Sequence, residues 1–184
     1  MKKFYKHAPE AILVLVLFWQ AAAFAASREN VEEKDRNGDG RKETKIYYVN
    51  GQIVRMGSDI NNDKKADETV TFKNGVPDHG EKDTNFDGKI DTWTDYDASG
   101  YPVLVAKDKR GHGKPDTWIH AKNGSVEMRE WDRNFDGKPD FRSKERGGHL
   151  IEKQYDNNFD GKFEKIEKAP QKGTILKTQT RASQ

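Results

Sequence analysis

Six aspartates, Asp35, Asp59, Asp83, Asp108, Asp132 and Asp156, recur at steps of 24, 24, 25, 24 and 24 residues, and each opens the same nine-residue pattern. A fixed period in this range is the mark of a repeat architecture, in which one supersecondary unit stacks on copies of itself. The ninth residue of every copy is acidic: Glu43, Asp67, Asp91, Asp116, Asp140 and Glu164. Positions 3 and 5 are Asn37 and Asp39, Asn61 and Asp63, Asn85 and Asp87, Asn134 and Asp136, and Asn158 and Asp160 in five copies. The fourth has Arg110 and His112 there. These nine-residue segments are numbered loops 1 to 6 below.

Oxygen-bearing side chains at positions 1, 3, 5 and 9, with glycine at 6, suit a hard cation. Ca²⁺ takes six to eight oxygens in irregular geometry, and alternate residues of a tight loop can aim theirs at one centre. Three carboxylates in nine residues repel one another unless a cation lies between them. Asp, Asn and Gly also favour tight turns with no ion at all. An acid at position 9 in all six copies is more than a plain turn requires. The expected calcium ligands are therefore Asp35, Asn37, Asp39 and Glu43; Asp59, Asn61, Asp63 and Asp67; Asp83, Asn85, Asp87 and Asp91; Asp132, Asn134, Asp136 and Asp140; and Asp156, Asn158, Asp160 and Glu164. In loop 4 the middle acceptors are lost, and the expectation is a metal-free turn with Arg110 paired to Asp108 or Asp116. Loop 2 has Lys64 where glycine belongs, which predicts a weaker site.

Loops such as Asp83-Thr84-Asn85-Phe86-Asp87-Gly88 and Asp156-Asn157-Asn158-Phe159-Asp160-Gly161 resemble the calcium loop of EF-hand proteins. They are more similar still to the short calcium loops of dockerins and thrombospondin type 3 repeats. The array as a whole resembles tandem Asp-x-Asn-x-Asp-Gly repeats of secreted or lipid-anchored bacterial proteins. The chain departs from the EF-hand in having no flanking helical pattern. At position 12 it has Ile46, Val70, Thr94, Ile119, Ser143 and Glu167, so the bidentate glutamate exists only in the last loop. The resemblance thus implies weak sites, on the order of 10⁻⁴–10⁻³ M.

Between loops the chain repeats strand, tight turn, strand. Asn50-Gly51, Asn74-Gly75, Asn123-Gly124 and Gly147-Gly148 fall at one phase, and Asn-Gly between β-prone runs signals a type I′ hairpin. Ser99-Gly100 comes one residue late and accounts for the 25-residue step; Lys172-Gly173 takes the place in the last unit. Pro77, two residues after a turn, predicts a short or irregular return strand. No segment has apolar residues at helical spacing. The expected fold is all-β: an elongated antiparallel meander of about six 24-residue hairpins joined by calcium-binding loops. The apolar residues are too few to fill a second layer.

The expected organisation is a signal peptide over 1–25, a polar leader over 26–34, the array over 35–170, and the end of the last hairpin with a frayed tail over 171–184. Lys2, Lys3 and Lys6, an apolar run from Ala11 to Trp19 and a small-residue stretch ending near Ala25 carry the first of these. That run is too short to span a bilayer, and no stable membrane span is expected after cleavage. The destination is then the periplasm or the exterior. The chain has no cysteine, so bound metal is the available staple for a thin core. Loss of the leader removes three lysines and Glu10 and leaves 30 basic and 30 acidic residues, interspersed. That balance excludes nucleic acid as an expected partner. His79, His112, His120 and His149 are scattered and form no catalytic pattern, so no enzyme is expected. Two roles fit: a structural or protein-interaction array in the cell envelope, or a glycan-binding module with Tyr47, Trp93, Trp118 and Trp131 as an aromatic ladder.

Overall fold

The computed structural model describes residues 28–170; the apolar leader and the tail of 171–184, with the sixth tight turn and its return strand, lie outside the described residues. Twelve antiparallel strands form one sheet, ordered in space as they are in the chain. They are β1 (Glu29–Lys34), β2 (Thr44–Val49), β3 (Gln52–Ser58), β4 (Glu68–Lys73), β5 (Val76–Lys82) and β6 (Thr92–Tyr96). Then come β7 (Pro102–Lys107), β8 (Thr117–Lys122), β9 (Ser125–Trp131), β10 (Phe141–Arg146), β11 (His149–Tyr155) and β12 (Lys165–Lys168). Among the described residues there is no helix, and so none long and apolar enough to cross a membrane.

Every strand packs only against its neighbours in sequence. The sheet is therefore one layer thick and open on both faces, roughly 50 Å across its strands at ~4.8 Å per step. Tight turns line one edge and the acidic loops line the other. Both central residues of each two-residue turn have positive φ, as in Asn50 (51°) with Gly51 (78°) and Asn123 (49°) with Gly124 (74°), which is the type I′ geometry that matches the strand twist. The β6–β7 connection is longer. There the Gly100 N–H donates to the Asp97 carbonyl, and Gly100 takes φ 81° to close a three-residue loop, which absorbs the extra residue.

Pro77 does not shorten its strand. β5 is seven residues long, as are β3, β9 and β11. The ladder from β5 to β6 begins only at His79, so Pro77 has a partner on one side alone and its missing N–H costs no bond. All five complete hairpins have a register shift near this point, between Tyr47/Tyr48, Thr71/Phe72, Asp95/Tyr96, His120/Ala121 and Lys144/Glu145. The bulge belongs to the repeat and is not a consequence of proline.

The leader is also more ordered than its sequence suggests. Glu29–Lys34 pairs with β2 over its whole length, although Val31 is its one apolar residue. Backbone bonding to the open edge of β2 holds it, with the Tyr48 hydroxyl donating to Glu32 (2.9 Å) and Lys45 beside Glu33 (3.6 Å). Charged side chains on an outermost strand discourage further pairing.

Side chains alternate between two faces, and the register assigns them. Face A carries the row Glu81, Trp93, Ala106, Trp118 and Glu130, together with Tyr47, His79 and His120. Face B carries Ile46, Met56, Val70, Val105 and Ile119, and nearer the loops Trp131, Phe141 and Tyr155. Among the described residues the buried apolar side chains are Ile46, Val70 and Ala106, whereas eight aspartates are buried: Asp67, Asp83, Asp91, Asp108, Asp116, Asp132, Asp140 and Asp156. The best-protected zone of this protein is its loop edge.

Candidate metal loops

Each loop folds by satisfying its own amides with its own acids. In loop 5, Asp132 accepts from the N–H of Phe135 (2.6 Å) and of Gly137 (2.7 Å). Asn134 Oδ1 accepts from the N–H of Asp136 (3.0 Å), and Asp136 Oδ1 from that of Lys138 (2.9 Å). The same bonds recur in loop 3 through Asp83, Asn85 and Asp87, and in loop 6 through Asp156, Asn158 and Asp160. Loop 1 has them at Asp35, Asn37 and Asp39, and loop 2 at Asp59, Asn61 and Asp63. The Asn at position 3 donates to the Asp at position 5 in loops 1, 3, 5 and 6, at 3.0–3.5 Å. Positions 1, 3 and 5 thus converge on one small volume.

Position 9 does something else. Its carboxylate accepts the N–H of position 2: Arg36 on Glu43, Ile60 on Asp67, Thr84 on Asp91, Lys109 on Asp116, Arg133 on Asp140 and Asn157 on Glu164, all at 2.6–3.0 Å. Its carbonyl accepts the N–H of the next loop's first aspartate, as in Asp83 N–H to Asp67 (2.7 Å) and Asp132 N–H to Asp116 (3.0 Å). The ninth acid therefore ties its loop shut and fastens it to the following one, with no cation involved. This accounts for its presence in all six loops, including loop 4. Burial pushes the Asp91 carboxyl up, but the hydroxyls of Thr84 and Thr92 and the N–H groups of Thr84 and Asn85 outweigh that and hold its pKa below the usual carboxylate value.

Among the described residues, three acidic or histidine side chains come within 4.8 Å of one another at two places, Asp35/Asp39/Glu43 and Asp108/His112/Asp116. The longer glutamate brings position 9 of loop 1 inward. Glu43 Oε2 is buried and has no hydrogen-bond partner. An unpaired carboxylate oxygen beside two other acids is the donor chemistry a hard cation needs. Arg41 meanwhile holds Asp39 with contacts of 2.6 and 3.0 Å, and its side-chain and N–H bonds lower the Asp39 pKa to about 2. In loops 2, 3, 5 and 6 the ninth acid, Asp67, Asp91, Asp140 or Glu164, stays on the amides and is not drawn into such a group.

Loop 4 differs from its expectation. The Arg110 guanidinium pairs with neither Asp108 nor Asp116; it lies over the Phe135 ring of loop 5, 4.1 Å from the centroid, and His112 meets the same ring edge-on at 5.7 Å. The turn is kept by backbone donors instead, with Asp108 accepting from Arg110, Gly111 and Gly113. Glu167, the position-12 residue of loop 6, lies in β12 and accepts from the Tyr155 hydroxyl (3.0 Å) beside Lys165 (2.7 Å), outside the loop.

A second feature was not evident from glycine spacing. Position 4 is also left-handed, at Gly38, Asn62, Phe86, Gly111, Phe135 and Phe159, with φ between 61° and 78°. Phenylalanine in this region is strained, and nothing in the Asp-x-Asn-x-Asp-Gly pattern announces it.

The four aromatic residues of the proposed ladder do not share a face. Tyr47, Trp93 and Trp118 lie on face A; Trp131 lies on face B, stacked on Phe141 (5.0 Å), which in turn meets Tyr155 (4.9 Å).

No family model matches the chain, and no curated protein matches it. Among solved structures, a chain in the crystal structure of accessory secretory proteins 1, 2 and 3 of Streptococcus pneumoniae is similar over 71% of this chain at 14% identity and a TM-score of 0.24. The likeness covers 19% of that chain, and at this level it carries neither fold nor function across.

Proposed function

We propose that this is an exported repeat protein of the cell envelope, periplasmic or secreted, whose acidic loops take Ca²⁺ and stiffen a single-layer sheet for a structural or protein-interaction role. The observation that carries the reading is the buried, unpartnered Glu43 Oε2 beside Asp35 and Asp39. Loop 1 would hold the ion through these three carboxylates with Asn37 added, and the exposed Arg41–Asp39 pair is weak enough to be displaced. In the other loops positions 1, 3 and 5 would bind, leaving position 9 to its amides. When bound, the ion neutralises carboxylates that are otherwise crowded, so binding and folding are linked. The test is a tryptophan-fluorescence melt of residues 26–184 in EDTA and across a calcium titration. The expected result is a rise in midpoint that saturates near millimolar calcium and is absent with magnesium. An unchanged melt would sink the calcium reading.

A second reading, glycan binding, is favoured by the grouping of Trp93 and Trp118 on either side of the small Ala106 on face A. Trp131 then serves as an internal control: Trp93→Ala and Trp118→Ala should abolish polysaccharide retention and Trp131→Ala should not.

A further inference from the structure

Loop 4 is the one copy in which a histidine replaces an acid at position 5, and the geometry points to a different metal there. We propose that Asp108, His112 and Asp116 form a site for a divalent transition ion such as Zn²⁺ or Cu²⁺, distinct in chemistry from the five oxygen-only loops. His112 Nδ1 accepts the Lys114 N–H, so this nitrogen carries no proton. That bond is stretched to 3.3 Å, against 2.8–2.9 Å for the equivalent bond to the aspartates of the other loops. The same nitrogen faces Asp108 Oδ1 at 3.5 Å. Two acceptors converging without a proton between them call for a cation.

The spacing fits the ion. Two ligands each ~2.0–2.1 Å from one tetrahedral centre stand about 3.3–3.4 Å apart. Asp116 completes a group within 4.8 Å. The Asp108 side chain is 2% exposed and Asp116 is 5% exposed, so both carboxylates are held in place, while His112 at 35% leaves an open side for water. Fixed carboxylates with an accessible imidazole form a mixed oxygen and nitrogen set, which raises affinity for Zn²⁺ and Cu²⁺ over Ca²⁺ and Mg²⁺. The contact of His112 with Phe135 fixes the ring plane. Arg110, the nearby cation that would compete for the two acids, is held over Phe135 instead.

The test uses the full chain with one equivalent of Cu²⁺ in excess Ca²⁺, read by electron paramagnetic resonance, alongside a calorimetric titration with Zn²⁺. Nitrogen coupling from one imidazole is expected in the wild type. His112→Asp, which restores the residue of the other loops, should remove that coupling and weaken Zn²⁺ binding about tenfold or more. His79→Gln and His120→Gln should leave both unchanged. His112→Asn serves as a second variant should the aspartate disturb folding, as judged by circular dichroism. Absence of nitrogen coupling in the wild type, or its survival in the His112 variants, overturns the assignment. The outcome is independent of whether the other loops bind calcium, because no ligand is shared with them.

Discussion

The ninth residue of each loop shows how a charge can serve as core. Asp140 is 2% exposed, yet it accepts from the N–H groups of Arg133 (2.8 Å) and Asn134 (3.1 Å) and is paired with the Arg133 side chain. A carboxylate so surrounded is satisfied without metal, whereas truncation leaves two protected donors with no acceptor. Asp140→Ala should therefore lower stability by about 1–3 kcal/mol even in EDTA. Asp140→Asn, which keeps an acceptor oxygen, should lose less. Urea denaturation of both variants in chelator measures this. If Asp140→Ala cost nothing in EDTA and mattered only with calcium, the ninth acid would be a ligand before it is a cap.

At the scale of the element, each loop bends twice through the left-handed region, at positions 4 and 6. Glycine occupies position 6 in five loops, and Lys64 takes φ 73° in loop 2, so the backbone there is the same but strained. Lys64→Gly should raise the denaturation midpoint by an amount corresponding to about 1 kcal/mol, since the relief of strain exceeds the entropy that glycine adds to the unfolded chain. A fall in midpoint would mean that Lys64 contributes through its side chain. The hairpins obey a comparable rule: turn, bulge and four-residue ladder to the next hairpin recur unit after unit. That regularity is why Pro77 is tolerated.

For the whole molecule, the shortage of buried apolar residues is offset along one edge. The first and ninth acids of successive loops are joined by backbone bonds, from Asp59 N–H on Glu43 through Asp156 N–H on Asp140, so that the loops form a continuous belt across the sheet. Each unit touches only the next, and stability should add nearly unit by unit. Deleting residues 108–131, which joins β7 to loop 5, should leave a folded array whose dependence on urea falls by roughly a sixth in slope, in proportion to the surface lost. Complete unfolding of that deletion would show that the sheet is held by something longer in range than neighbour contacts.

The sequence by itself determined the strand-and-loop rhythm, the type I′ turns and the single layer, because each follows from local spacing: a 24-residue period, Asn-Gly at one phase, and too few apolar residues to cover a second sheet. It also marked Asp35, Asn37, Asp39 and their counterparts as a converging set. Only the tertiary structure decided where the ninth acids go, because the amides they cap and the loop they fasten to are settled by how consecutive units abut. The same holds for β1, whose pairing is dictated by the open edge of β2 and not by its own charged sequence. Trp131 was separated from Trp93 and Trp118 in the same way, since a pleated strand sends adjacent residues to opposite faces and register settles which. Arg110 likewise found its partner in Phe135 of the next loop, 25 residues away in sequence and adjacent only once the belt had formed.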